Sequence, residues 1–272
     1  MVGKLNENKD SLRGFMKGYN IIVLAGDRGE DDPLAGVLGV PRKALLKIHD
    51  KPMLGYVLEA IRGSKKAKDI YVVANSVYEI EAGMNLTLFG DMKFLEGKSS
   101  PALSLKAILE KNDLFPVVIL TADCPLLTSE IIDEFIEKAE QNNPEIAIGF
   151  ASKKNIETLY PRGRRTYLFF KNEGYSGCNL FTFKSSKALK SIKFWAKFEK
   201  NRKKEFKLLM AFGLWNLTLM FLKRLDIFEA FERVSLKLGI EVKPVIISDA
   251  NAAIDVDRSK HIAIVEKILK NK

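Results

Sequence analysis

Apolar and polar positions along the first half of the chain fall into two alternating patterns. Ile21 to Leu24, Asp69 to Ala74, Phe115 to Leu120 and Ile146 to Phe150 are short, nearly unbroken apolar runs, with a weaker one at Met84 to Phe89. Runs of that length read as strands buried on both faces. Between them, Met53 to Ile61 and Ala102 to Leu109 place apolar residues at helical spacing, and Gly63 ends the first of these helices. Thr128 or Ser129 caps a further helix with acids in its first turn. Strand and helix in alternation predict an α/β fold, a mostly parallel sheet with helices on both faces.

The rhythm changes after Pro144. Thr166 to Phe170 and Leu180 to Phe183 read as strands, separated by a Gly-rich turn over Glu173 to Asn179. A long helical region is expected from Ser185 to Leu238, then a strand at Val242 to Ile247 and a last helix from Ser259 to Leu269. The first nineteen residues read as a lead-in or a short peripheral helix. No internal repeat or low-complexity linker divides the chain. The expectation is one domain over 1–272, with a helical insertion at about 185–238.

Composition changes this picture little, but the placement of charge does. Apolar content of 47% and charged content of 29% are those of an ordinary globular protein. The net charge is +10, and the segment from Lys184 to Asp226 holds ten Lys and two Arg against three acids. One local basic feature therefore accounts for nearly all the excess, which argues against a general nucleic-acid-binding surface. Two cysteines, Cys124 and Cys178, give neither a disulfide framework nor metal-ligand spacing. The polar N-terminus contains no signal-peptide pattern. A cytoplasmic location is expected. Residues 208–222 carry no charge, a stretch short of the ~20 residues that cross a bilayer. With the basic, aromatic segment before it, this element is a helical lid, a dimer contact, or an interfacial contact on the inner face of the membrane.

Candidate chemistry gathers where strands end. The first strand stops at Ala25-Gly26 and opens a long loop carrying Arg28, several acids and glycines, and Pro41-Arg42-Lys43. Such a loop at a strand's carboxyl end suits phosphate binding. Asp123 follows an apolar strand directly, at the usual ligand edge of a sheet, where a carboxylate can hold Mg²⁺ or cap a turn. Asp255 and Asp257 are two apart in an extended stretch and so face one way. Asp257 reads equally as a cation ligand and as the cap of the last helix. A Lys, an Arg, Gly-loop amides and a carboxylate-held Mg²⁺ are the parts that transfer at phosphorus requires. Cys124 reads as a small buried filler.

Several motifs in order then resemble the MobA-like nucleotidyltransferase family. They are LAG with Arg28 at Leu24 to Arg28, DPLA at Asp32 to Ala35, KALLKIHDKPML at Lys43 to Leu54 and TADCPLLT at Thr121 to Thr128. GCNLF at Gly177 to Phe181 and DVD before the last helix complete the series. The resemblance implies a Rossmann-like, GT-A-type three-layer sandwich that joins an NTP to a phosphorylated small-molecule or lipid-linked acceptor and releases pyrophosphate. It implies that Leu24, Ala25, Gly26 and Arg28 contact the nucleotide and that Lys43 binds its phosphates, with Lys43 and Arg28 as the catalytic cations. Ser104 falls where the base is recognised. Asp123 and Asp257, with Asp255 beside them, hold Mg²⁺, while Asn179 and Gly177 lie near the acceptor. The chain departs from the family pattern in having Asp27 directly after LAG, a longer loop before Lys43, and the basic helical insertion. A GT-A glycosyltransferase using a nucleotide sugar and a non-catalytic nucleotide-binding regulator are the alternatives.

Overall fold

The computed structural model of the chain describes residues 18–27, 32–84, 91–161, 165–192, 195 and 225–270. Among them the strands are β1 (Tyr19–Leu24), β2 (Lys47–Ile48), β3 (Lys51–Pro52), β4 (Ala67–Ala74), β5 (Lys93–Glu96), β6 (Val117–Thr121), β7 (Ile146–Ser152), β8 (Leu168–Phe169), β9 (Gly174–Phe183) and β10 (Val242–Ile247). The α-helices are α1 (Pro33–Leu38), α2 (Met53–Gly63), α3 (Val77–Gly83), α4 (Pro101–Lys111), α5 (Ser129–Asn142), α6 (Lys153–Leu159), α7 (Ile227–Leu238) and α8 (Ser259–Lys270).

The main sheet runs β10-β7-β9-β6-β1-β4-β5, with β8 on β9. The pairs β1/β4, β1/β6, β4/β5 and β10/β7 are parallel, while β9 lies antiparallel between β6 and β7. The mostly parallel α/β sheet expected from the alternation is therefore present, with one reversed strand in its middle. From β1 the chain moves outward through β4 and β5, then returns to β6 on the other side of β1. Strand order thus reverses beside β1, and in open α/β sheets ligands bind at the carboxyl ends of the strands at that reversal.

Burial on both faces explains the unbroken apolar runs. Ile21, Val23, Val118 and Leu120 face α2 and α5, packing with Leu54, Leu58, Ile61, Ile132, Phe135 and Ile136. Ile22, Val117 and Ile119 face the other way, against Leu105, Ile108 and Leu109 of α4. A third cluster joins Leu34, Leu46, Ile48, Met53, Leu126, Ile254, Val256 and Val265. It packs together the loop after β1, the end of β6 and the stretch before α8, all at the sheet's carboxyl edge. Phe135 is fully buried between α5 and the sheet. Its replacement by Ala is expected to lower stability by ~3–5 kcal/mol, read as an earlier midpoint in guanidinium unfolding.

Several expectations are corrected. Glu173 to Asn179 is not a turn: β9 runs through it as a ten-residue strand. At Gly174 a ring approaches closely, a Cβ there meeting the Phe169 ring at 3.2 Å. Between the pairs Ile148↔Phe181 and Phe150↔Gly177 the register shifts, so Cys178 to Leu180 form a bulge. Asn179 there has φ 53, left-handed backbone that asparagine tolerates better than most residues. The strand expected over Thr166 to Phe170 shortens to Leu168–Phe169. The strand expected at Met84 to Phe89 lies, beyond Met84, outside the described residues, and β5 supplies the pairing along β4. Helices α1, α3 and α6 stand where none was expected. α1 is set by Asp32, whose carboxylate accepts from the Leu34 and Ala35 amides, and by Pro33 in its first turn. Of the helical region 185–238, the described parts are a 3-10 turn at Ser186–Ala188, short segments after it, and α7. α7 is closed by a capping box between Asp226 and Glu229. The apolar stretch 208–222 and most of the basic segment lie outside the described residues. Among the described residues, no helix is long and apolar enough to cross a membrane.

Candidate active site at the carboxyl edge of the sheet

Backbone hydrogen bonds draw the strand ends into one rim. The Ala25 amide donates to Val73 O, Ala122 to Leu24 O and Gly97 to Ala74 O. The Val256 amide donates to Asp123 O at 2.9 Å, which ties the DVD stretch to the end of β6. Residues distant in sequence therefore meet because parallel strands end at one level.

At the centre stands Lys43, the first residue of a 3-10 turn, Lys43–Leu45. Its Nζ is 2.7 Å from Asp123 Oδ2 and 2.7 Å from Asp257 Oδ1. The lysine side chain is 14% exposed, Asp123 22% and Asp257 59%, so the cluster opens to solvent on the Asp257 side. Burial works against the lysine's charge, but the carboxylates of Asp123 and Asp257 outweigh it and hold its pKa above the ordinary value. Lys43 is a fixed cation, not a general base. Burial would likewise raise the pKa of Asp257, yet the hydrogen bond and charge of Lys43 keep it below the usual carboxylate value. Thr121 Oγ1 donates to Asp123 Oδ1 at 2.6 Å and orients the carboxylate. The Asp257 side chain lies on Lys43, while its amide donates to His261 Nδ1.

Asp27, which interrupts the expected Gly-rich pattern, has a structural role in the loop. Its carboxylate accepts the Lys43 amide N–H and the Arg42 guanidinium. Arg42 also donates to Glu79 of α3. Asp27 thereby fixes the backbone from which the Lys43 side chain departs.

The remaining expected residues are distributed as follows. Leu24, Ala25 and Gly26 end β1 at the rim. Arg28 lies outside the described residues. Ser104 is 4% exposed, and its Oγ accepts the Lys98 amide at 2.7 Å and donates to Ser100 O. It shapes the Gly97 to Ser100 turn at the end of β5. Asp255 does not join Lys43. Its Oδ1 pairs with Arg165 Nη1 at 2.6 Å, and its Oδ2 is 3.5 Å from Asn179 Nδ2. Gly177 stands two residues before Asn179, and a Cβ there would meet nothing within 4 Å. Cys124 is buried, its thiol pKa pushed well up by burial and by the charges of Asp123 and Asp255, as suits a filler.

Two residues at the rim were missed. Asn75 follows β4 directly, and a Cβ at Gly26 would meet its Oδ1, so the Asn75 side chain lies against the loop after β1. The signal that singled out Asp123, a polar residue directly after a buried strand, also marks Asn75. Arg165 had no such signal, since it precedes a strand at the end of a run rich in arginine and does not follow one. Among the described residues, no group of three or more His, Cys, Asp or Glu could hold a metal ion. Asp123 and Asp257 do converge as a pair on a cation, and that cation is the Lys43 ammonium.

The model of the MobA-like NTP transferase domain matches residues 21–177, more than half of the chain. A molybdenum cofactor guanylyltransferase from Shewanella woodyi (strain ATCC 51908 / MS32) is 23% identical over 133 residues, 49% of this chain. The match spans 63% of that relative's length, less than two thirds of it. A hypothetical transferase from Thermus thermophilus superposes with a TM-score of 0.76 at 25% identity, over 90% of this chain and 99% of that one. CMP:2-keto-3-deoxy-manno-octonic acid synthetase complexed with CTP shares the fold, with a TM-score of 0.59 at 13% identity, over 93% of this chain and 99% of that one.

Proposed function

The chain belongs to the MobA-like NTP transferase family, and from that premise we propose that it transfers a nucleotidyl group from an NTP to a phosphorylated acceptor with release of pyrophosphate. The observation that carries the reading is the Lys43 ammonium held at 2.7 Å from both Asp123 and Asp257, at the strand-order reversal.

The chemistry needs little covalent help. An oxygen of the acceptor phosphate attacks the α-phosphorus of the NTP. The new O–P bond forms as the bond from the α-phosphorus to the bridging oxygen breaks, and the electron pair leaves with pyrophosphate. A phosphate monoester is largely dianionic at pH 7, so no base must first remove a proton. The protein's task is to align two anions and offset their charge. Lys43, permanently protonated, supplies a positive charge beside the triphosphate. On this reading Leu24 to Gly26, at the end of β1, would contact the nucleotide.

Mg²⁺ fits this donor set. It takes one or two carboxylates and fills its remaining positions with water and phosphate oxygens. Asp123 and Asp257, which pair with the Lys43 ammonium in the structure, would hold it. When bound, the ion would neutralise charge on the phosphate oxygens. Asp255 is committed to Arg165 and is left out of this set.

Pyrophosphate release, followed with the four NTPs, Mg²⁺ and a panel of sugar, polyol and glycerol phosphates, tests the reading. One NTP with one acceptor is expected to give stoichiometric pyrophosphate and a nucleoside-diphosphate product. Turnover of a nucleotide sugar without pyrophosphate would replace this reading with glycosyl transfer.

A further inference from the structure

Arg165 is a cation that the chemistry above leaves unused. Its side chain is 14% exposed, and Nη1 donates to Asp255 Oδ1 at 2.6 Å. Its Nε is shut off from solvent and has no hydrogen-bond partner. A guanidinium offers five donors in a rigid fork that matches a carboxylate or a phosphate two bonds at a time. Buried polar atoms without a partner are rare in native proteins, and each one asks for a ligand, a water or a change of state.

Its surroundings are built, not incidental. Asp255, which holds Arg165, also lies 3.5 Å from Asn179 Nδ2. Asn179 reaches there because β9 bulges and its backbone is held at φ 53. Bulges and left-handed non-glycine residues cluster where a fold aims a side chain at a functional site. Arg165 is also close enough to Asp257 and His261 for its charge to act on both.

The DVD stretch thus presents two cations. Asp257 holds Lys43, and Asp255, two residues earlier, holds Arg165. Residues two apart in an extended chain are about 6–7 Å apart. Joining an NTP to a phosphorylated acceptor brings together two anionic groups that repel each other, and each needs its own counter-charge. Lys43 stands on the side of the loop from β1, where the nucleotide phosphates belong. Arg165 stands on the side of β9.

We propose that Arg165 is the specificity-determining residue for the acceptor: Asp255 presents its guanidinium, and the acceptor's phosphate monoester binds that guanidinium beside Asn179. The inference rests on the nucleotidyl-transfer reading and names what that reading leaves open, the group by which the acceptor is chosen. An Arg165–Asp255 pair that merely braces the DVD stretch would affect nucleotide and acceptor alike.

The test uses the full chain saturated with Mg²⁺ and an α,β-methylene NTP, which fills the nucleotide site without reacting. Inorganic phosphate is then titrated against chloride at matched ionic strength, with acetate as a parallel arm, and thermal unfolding is followed. Loaded wild type is expected to gain a further rise in Tm with phosphate and little with acetate. In Arg165→Met that further rise disappears while the rise caused by the nucleotide stays. Arg165→Lys, which keeps the charge and loses the fork, recovers only part of it. Once an acceptor is identified, Arg165→Met should raise its KM by about 30-fold or more with the nucleotide KM unchanged. The proposal is overturned if loaded wild type shows no phosphate-specific rise, if acetate does as well, if Arg165→Met keeps the rise, or if the variant loses nucleotide binding too. Wild type that binds no nucleotide would sink the transfer reading itself, and this inference with it.

Discussion

Lys43→Met is expected to cut nucleotidyl transfer by about 10²–10³-fold or more, the scale seen when one preorganised charge-stabilising donor is removed from an active site. The loss should fall on kcat at least as heavily as on KM, because the negative charge to be offset grows as two phosphates approach. Two features make the lysine hard to replace. Its amide is anchored by Asp27 and its ammonium by two carboxylates, so a neighbouring surface lysine cannot take its place. Its charge is also secure, since Asp123 and Asp257 raise its pKa against burial. The pH dependence separates this role from general loss of structure. A raised lysine pKa contributes stability below the unfolded value, near ~10.4, that is lost as pH rises through the folded value. A lowered Asp257 pKa contributes stability above its unfolded value, near ~3.9, that is lost as pH falls through the folded value. The Tm difference between wild type and Lys43→Met should therefore be nearly flat from about pH 5 to 9 and close towards acid. Pyrophosphate release within tenfold of wild type would remove Lys43 from the mechanism, and a Tm gap unchanged into acid would remove its coupling to Asp257.

What could be read from sequence follows from what each residue packs against. Strands β1, β4, β6, β7 and β10 are buried on both faces, so their apolar runs stand out, and Val242 to Ile247 matches β10 residue for residue. Asp123 was legible because it sits at the point where such a run ends. Lys43 was legible only as a candidate cation in the loop after the first strand; its pairing with Asp257, 214 positions away, comes from the sheet order that brings them together. The motif resemblance gave the two residues separate roles, phosphate contact and metal ligand, and not this contact. β9 was misread for a physical reason: its Gly174, Gly177 and bulged Asn179 carry turn chemistry within a strand, because close approach at one end and the aim of Asn179 at the rim outrank local propensity. Asp255 shows the limit of the two-residue periodicity. The rule placed it on the same side as Asp257 but gave no sign that Arg165 would claim it.

Mg²⁺ and NTP are expected to bind this protein far better together than either binds alone, and the cause lies in the position of Lys43. With no nucleotide present, its ammonium sits on the two carboxylates assigned to the ion. A dication offered alone must displace that ammonium into a site with no new partner, losing two charge-assisted hydrogen bonds. A triphosphate gives the ammonium somewhere to go and at the same time contributes oxygens to the metal. Thermal shift should therefore show a small rise with millimolar Mg²⁺, a small rise with NTP in EDTA, and a combined rise well beyond their sum. Lys43→Met makes the opposite change in one arm: with the ammonium gone, Asp123 and Asp257 face each other uncompensated, so Mg²⁺ alone should stabilise the variant more than it stabilises wild type. Transfer in that variant should stay low at every Mg²⁺ concentration, because the ion cannot supply the lysine's contact with the phosphates. A variant indifferent to Mg²⁺, or wild type in which the two ligands act additively, would mean that these carboxylates do not share one cation site with Lys43.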